Sequence, residues 1–226
     1  MRRITRRDVE VLRDIALSHI LSRNQLRRLG YFGSVTRVNT RMRDLAEFGL
    51  VRRLETPFFS QSLYSVTKQA AEVVGERISL LIENRCSSPR FVQHALSTTN
   101  VRLALQSKAP GAWRFEQQLW RKIGGKGGVE VRPDGLHLGK VPVFVEVDLG
   151  HVAPMRFEAK LASYQLLAQA EHCQALYGFP EFKLLTVTTG SLRARHLRRL
   201  TPAKAGYEHR IQTFEEIGAA PIAGWS

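Results

Sequence analysis

The acids that could do chemistry in this chain stand close together. Val141 to Leu149 is an apolar run broken only by Pro142, Glu146 and Asp148, and Asp134 follows Pro133 a short distance upstream. Side chains alternate across a strand, so Val143, Val145 and Val147 point one way while Phe144, Glu146 and Asp148 point the other. Glu146 and Asp148 then share a face at a spacing of ~6.6 Å. Carboxylates in an apolar strand are costly unless something neutralises them. Hard oxygen donors suit Mg2+ or Mn2+, held by Asp134 and Glu146, with Asp148 as a further ligand or as the group that orients water. Such an ion activates water and stabilises charge on a phosphate. Lys160 and Tyr164, four residues apart at the edge of the next helix's apolar stripe, are placed to face the strand. Lys160 is the group expected to stabilise phosphate charge. Tyr164 and His94 are candidate supporting groups; no second His or Cys stands near His94 at ligand spacing, so a structural histidine is its plainer reading.

These residues need a sheet to carry them. Val129–Leu138 and Val141–Leu149 read as strand, turn, strand. A helix begins near Pro154, where proline suits the first turn, and buries Phe157, Leu161, Tyr164 and Ala168. Phe182–Thr188 is another buried strand, Ser191–Leu200 a basic helix, and His209–Phe214 a last short strand. The order describes an α/β (α+β) domain with a central mixed sheet. Arg193, Arg195, Arg198 and Arg199 of the basic helix either hold DNA backbone or form a solvated face. The glycines of Gly124–Gly128 do not precede a helix, as a phosphate-binding loop requires. Aromatics are not grouped into a base-stacking platform.

The N-terminal part reads differently. Thr5 and Asp8 form a capping-box pair, and Val9, Leu12, Ala16 and Ile20 recur at helical spacing. Ser22 caps a second helix, and Ser34 a third that buries Val38, Met42 and Leu45 and ends at Gly49 in the left-handed conformation. Arg37, Thr40, Arg41 and Asp44 lie on its other face. Leu50–Leu54 and Ser62–Val66 make a hairpin around Pro57, and Thr67 caps a helix through Val74. Three helices and a hairpin are a winged helix-turn-helix. With Arg43, Arg52 and Arg53, the residues Arg37, Thr40 and Arg41 are the nucleic-acid-binding set. Residues 1–78 hold 15 Lys and Arg against 8 Asp and Glu.

The whole chain has 226 residues and a formal charge of +14, which calls for a polyanionic partner because Lys and Arg displace the counterions condensed on phosphates. Double-stranded DNA at an origin-like or operator-like site comes first. No apolar run is long enough for membrane insertion, the basic start lacks a signal-peptide apolar stretch, and two cysteines are too few for a disulfide framework. A cytoplasmic protein is expected. A homodimer reading paired half-sites is a natural arrangement for such a module.

The spacing Arg132-Pro133-Asp134-Gly135, then Glu146-Val147-Asp148-Leu149-Gly150, resembles the PD-(D/E)xK restriction-endonuclease-like superfamily. Taken with the N-terminal winged helix and the Lys160/Tyr164 pair, the chain from Ile4 to Phe214 resembles the plasmid replication-relaxation family and the MobC-type mobilisation proteins. The resemblance implies a winged helix over 1–78, a helical bridge over 79–110 and a nuclease-like domain over 111–226. It also implies metal-dependent nicking or relaxation of plasmid DNA, with other relaxosome or replication proteins as partners, and Asp134 and Glu146 as metal ligands. The superfamily places lysine where this chain has Asp148. Either Lys160 supplies that cation from the helix, or the domain has lost cleavage and serves as a DNA-binding accessory or transcriptional regulator.

Overall fold

The computed structural model describes residues 3–54, 59, 61–75, 88–124, 127–169 and 171–222. The expected turn around Pro57, the helical stretch around Leu80–Ile82 and part of the glycine loop lie outside them. The chain divides into two compact units, residues 1–100 with 222–226, and residues 101–221. The dividing point falls inside one helix, Pro89–Lys108.

The first unit runs α1 (Arg6–Ser18), β1 (Leu21–Ser22), α2 (Arg23–Arg28), α3 (Val35–Glu47), β2 (Val51–Leu54), β3 (Leu63–Val66) and α4 (Ala70–Val74), and includes the first part of α5 (Pro89–Lys108). Local capping chemistry sets these starts. Thr5 and Asp8 cap α1 reciprocally, as do Ser22 and Gln25 on α2, while the Ser34 hydroxyl accepts from the backbone of Arg37 at the start of α3. Past α3, Gly49 takes φ +71, and a Cβ there would press on the Gln69 side chain, so glycine is needed twice over. Thr67 does not cap α4; its hydroxyl donates to the Gly49 carbonyl, and α4 begins later without a side-chain cap. The three strands pair antiparallel in the order β1-β3-β2. Val11, Leu12, Ile15, Leu26, Val38 and Met42 fill the core between helices and sheet.

A mixed five-stranded sheet organises the second unit. Its strands are β4 (Ala112–Phe115), β7 (Gly135–Leu138), β8 (Pro142–Asp148), β9 (Lys183–Thr188) and β10 (Glu208–Thr213), in the order β10-β9-β8-β7-β4. β8, β9 and β10 are parallel, and β7 and β4 are antiparallel to their neighbours. The remaining elements are α6 (Glu116–Leu119), β5 (Arg121–Ile123), β6 (Val129–Val131), α7 (Pro154–Leu167), α8 (His172–Tyr177) and α9 (Ser191–Arg199).

The stretch 129–138 is not one strand. It breaks at Arg132-Pro133-Asp134, sending β6 to pair with β5 while β7 joins the central sheet. Gly135 then has to lack a side chain, because the Trp113 ring of β4 lies where a Cβ would stand. β8 is buried on both faces: Val145 and Val147 pack with Val101, Ala104, Leu185 and Phe214, whereas Phe144 packs with Phe157, Leu161 and Tyr164 of α7. Among the described residues no helix is long and apolar enough to cross a membrane.

His209 of β10 places Nε2 2.9 Å from the Thr186 hydroxyl, and burial holds its pKa down at about 4. The unfolded chain therefore binds a proton in a range where the folded one does not. Stability contributed by neutral His209 is complete above about pH 6.5 and declines from there to about pH 4. Urea denaturation at stepped pH should show that decline, and His209→Gln should flatten it; an unchanged slope in the variant would assign the decline to other groups.

Candidate functional site

The acidic cluster is assembled from three elements of the second unit. Asp134 stands just before β7; its backbone donates to the Val145 carbonyl at 3.0 Å and its Oδ2 accepts from the Val147 backbone at 2.7 Å. That double clasp ties it to β8 on either side of Glu146. Glu146 is buried, and both its oxygens are met from α7: Lys160 Nζ donates to Oε2, and the Tyr164 hydroxyl donates to Oε1 at 2.6 Å. Lys160 and Tyr164 reach one carboxylate because residues four apart share a helix face.

The electrostatics follow from this packing. Burial lifts the Glu146 carboxyl to about 8; Lys160 opposes the lift and the charge of Asp134 adds to it. Burial works against the charge on Lys160, but Glu146 and Asp134 together hold its pKa above the ordinary value. Burial and then Glu146 raise Tyr164 well above the usual phenol range, so it stays a donor. Lys160, with 36 % of its side chain exposed, is where this cluster meets solvent.

Asp148 points to the same face of the sheet but serves another partner. Arg193 of α9 grips it with Nε to Oδ2 at 2.7 Å and Nη2 to Oδ1 at 3.1 Å, and the Thr188 hydroxyl donates to Oδ2 at 2.9 Å. Arg193 also donates to the Val152 carbonyl at 2.7 Å, tying the loop before α7 to α9. The structure thus brings Asp134, Glu146, Lys160 and Tyr164 together and sets Asp148 in a separate ion pair. Sequence reading missed Arg193 as its partner, since 45 residues separate the two and no local pattern links them. Asp134 and Glu146 are the two acids of this cluster, and the charge of Asp134 bears on Glu146. Among the described residues no group of three or more His, Cys, Asp or Glu converges into a metal cage. His94, half-buried on α5, belongs to the first unit.

The basic residues of the first unit fall into two classes. Arg41 turns inward: Nε and Nη2 donate to the two oxygens of fully buried Asp8 at 2.8 and 2.5 Å, and Nη1 lies 3.5 Å from Asp44 Oδ2. Asp44 is itself buried. Arg37, Thr40 and Arg43 of α3 are exposed, as are Arg52 and Arg53 of β2; Arg52 Nε donates to the Ser65 hydroxyl at 2.8 Å. Between α3 and the hairpin runs a groove of about 470 Å³ lined by Arg23, Asn39, Arg43, Arg53, Ser62 and Tyr64. Arg23 was not among the expected residues; it opens α2 and reaches this groove only through the packing of α2 against α3.

Compared with known families, residues 12–181 match the family described as replication-relaxation. No curated protein and no solved structure matches the chain.

Two stability measurements check the assignment of these ion pairs. Arg41→Ala strands a buried carboxylate and should destabilise the protein by about 3 kcal/mol, whereas exposed Arg43→Ala should stay within about 0.5 kcal/mol of wild type; equal losses would mean that Arg41 is not a structural residue. Asp148→Ala leaves Arg193 and Thr188 without their acceptor and should cost about 3 kcal/mol. A fully stable Asp148→Ala protein would free Asp148 for a role at the site.

Proposed function

Because the chain belongs to the replication-relaxation family, we propose that it binds duplex DNA in the replication or relaxation of a plasmid or other mobile element, with its first unit acting as a winged helix. Family membership supports the plasmid or mobile-element setting. The order α1-β1-α2-α3-β2-β3, with a three-stranded antiparallel sheet, supports the winged-helix reading. One observation carries the DNA reading: α3 turns Val38, Met42 and Leu45 into the core while Arg37, Thr40 and Arg43 are exposed, and Arg43 lines one groove with Arg53 of the hairpin. Exposed arginines in that arrangement give phosphate attraction and reach base edges. Arg41 is left out of the contact set, because Asp8 and Asp44 hold it.

The convergence of Asp134, Glu146 and Lys160 favours a second reading, strand nicking by a PD-(D/E)xK-like site of the kind attributed to MobC-type proteins. Lys160 then replaces, from α7, the lysine that the motif places at Asp148. Asp134 and Glu146 would hold a Mg2+ or Mn2+ ion, which when bound supplies an activated water and neutralises phosphate charge. Lys160 faces the phosphate from its solvent-exposed side, and Tyr164 fixes the rotamer of Glu146 through its hydroxyl. Asp148 stays with Arg193 and orders the fold rather than the metal.

Supercoiled plasmid, including one carrying the native origin, incubated with Mn2+, Mg2+ or EDTA tests both readings. Wild type should retard the plasmid in a gel, and Arg37→Ala/Arg43→Ala should bind it roughly tenfold more weakly. Metal-dependent open circles should appear with wild type and vanish with Lys160→Met while its DNA binding is retained. Binding without nicking under every condition would sink the cleavage reading and leave a DNA-binding accessory or regulator. No binding at all would sink the proposal itself.

A further inference from the structure

The structure sorts the four arginines of α9 by what holds them. Arg193 is engaged by Asp148 and the Val152 carbonyl, and Arg198 sends Nη2 to the Ile211 carbonyl at 2.6 Å. Arg195 and Arg199 are exposed, with no acid pairing either among the described residues. Leu192, Arg195, His196 and Arg199 fall at positions i, i+3, i+4 and i+7, one stripe of the helix, and all four are exposed; Ala194 and Leu197 are buried on the opposite face. The segment Ser191–Tyr207 contains no Asp or Glu.

Such a stripe is unfavourable by itself. Like charges three and four residues apart repel, and no acid of the helix relieves them. Cations near a helix C-terminus gain from the helix dipole, which accounts for Arg199 but not for Arg195 one turn earlier. A polyanion offsets the repulsion, since each guanidinium that meets a phosphate releases condensed counterions. The Arg193–Asp148 fork holds the helix against the strand that carries Glu146, so the stripe is presented on a rigid support.

We infer that Arg195 and Arg199 of α9, with His196 between them, form a second DNA-contacting surface that grips the phosphate backbone of duplex DNA independently of α3. This extends the DNA-binding reading of the first unit and assigns the second unit an affinity of its own.

The test is equilibrium binding of the full-length protein to a linear duplex of random sequence across a salt series, for wild type, Arg195→Gln/Arg199→Gln, Arg195→Glu/Arg199→Glu and Arg37→Ala/Arg43→Ala. Exposed positions of this kind leave folding intact, which a thermal melt of each variant verifies. Loss of two phosphate contacts should shrink the slope of log affinity against log salt by about 2. Wild type should therefore lose about tenfold more affinity than the glutamine variant between about 50 and 200 mM salt. The charge-reversed variant should bind more weakly still. Wild-type affinity and slope in both α9 variants, with binding lost in the α3 variant, would overturn this inference and leave the α3 reading standing. Loss in the α9 variants with none in the α3 variant would do the reverse. Wild-type behaviour in all three would overturn both.

Discussion

A carboxylate buried in a sheet has to be neutralised, and the second unit is arranged around that requirement. β8 carries Glu146 and Asp148 on one face, each at least nine-tenths buried. Both are matched by a cation from a helix packed over that face, Lys160 from α7 and Arg193 from α9. An unpaired buried charge costs several kcal/mol, so these two pairs add to the apolar stripes in fixing which faces of α7 and α9 meet the sheet. The two pairs differ in consequence. The Asp148–Arg193 fork satisfies both carboxylate oxygens and adds Thr188, which leaves it saturated. The Glu146 cluster has Lys160 at its solvent edge and a second carboxylate, Asp134, close enough to oppose it electrically.

The same rule sorts the arginines of the first unit. Asp8 caps α1, is fully buried and demands a cation, and Arg41 supplies it from α3. Arg41 thereby joins α1 to α3 and leaves the solvent face of the helix to Arg37, Thr40 and Arg43. Arginine count alone overstates the binding surface: a guanidinium held by a buried acid contributes to the fold, and one with no acid partner is available to a phosphate. Applied to α9, this separates Arg193 from Arg195 and Arg199.

Membership of the replication-relaxation family agrees with a strongly basic chain whose exposed arginines gather on particular elements. The acidic cluster sets the second unit apart from a merely basic surface. Burial raises Glu146, the neighbouring acids keep Lys160 charged, and Tyr164 stays a donor, so the three share protons and charge within one hydrogen-bonded group. Asp134, tethered by its backbone and by Val147 to either side of Glu146, needs no movement to take part.

Much of this was legible in the residues. Caps, apolar periodicity and alternation are local, so Thr5/Asp8, Ser22, Ser34 and Gly49 announced the helices of the first unit, and the alternation in β8 placed Glu146 and Asp148 on one face. The i, i+4 relation of Lys160 and Tyr164 likewise put both toward one strand. Elements without a local signature were missed: β4 has four residues with no apolar run, and the continuous-looking stretch 129–138 splits between two sheets at Arg132-Pro133-Asp134, where Asp134 is clasped to β8 on either side of Glu146. Which carboxylate meets which cation was decided only by tertiary structure. Arg41 was expected on the DNA face and Asp148 at the site, yet each is held by a residue tens of positions away. Sequence alone determines which charges exist and which face of their own element they occupy; which of them are buried together, and so neutralise one another, depends on contacts between elements that no local spacing encodes.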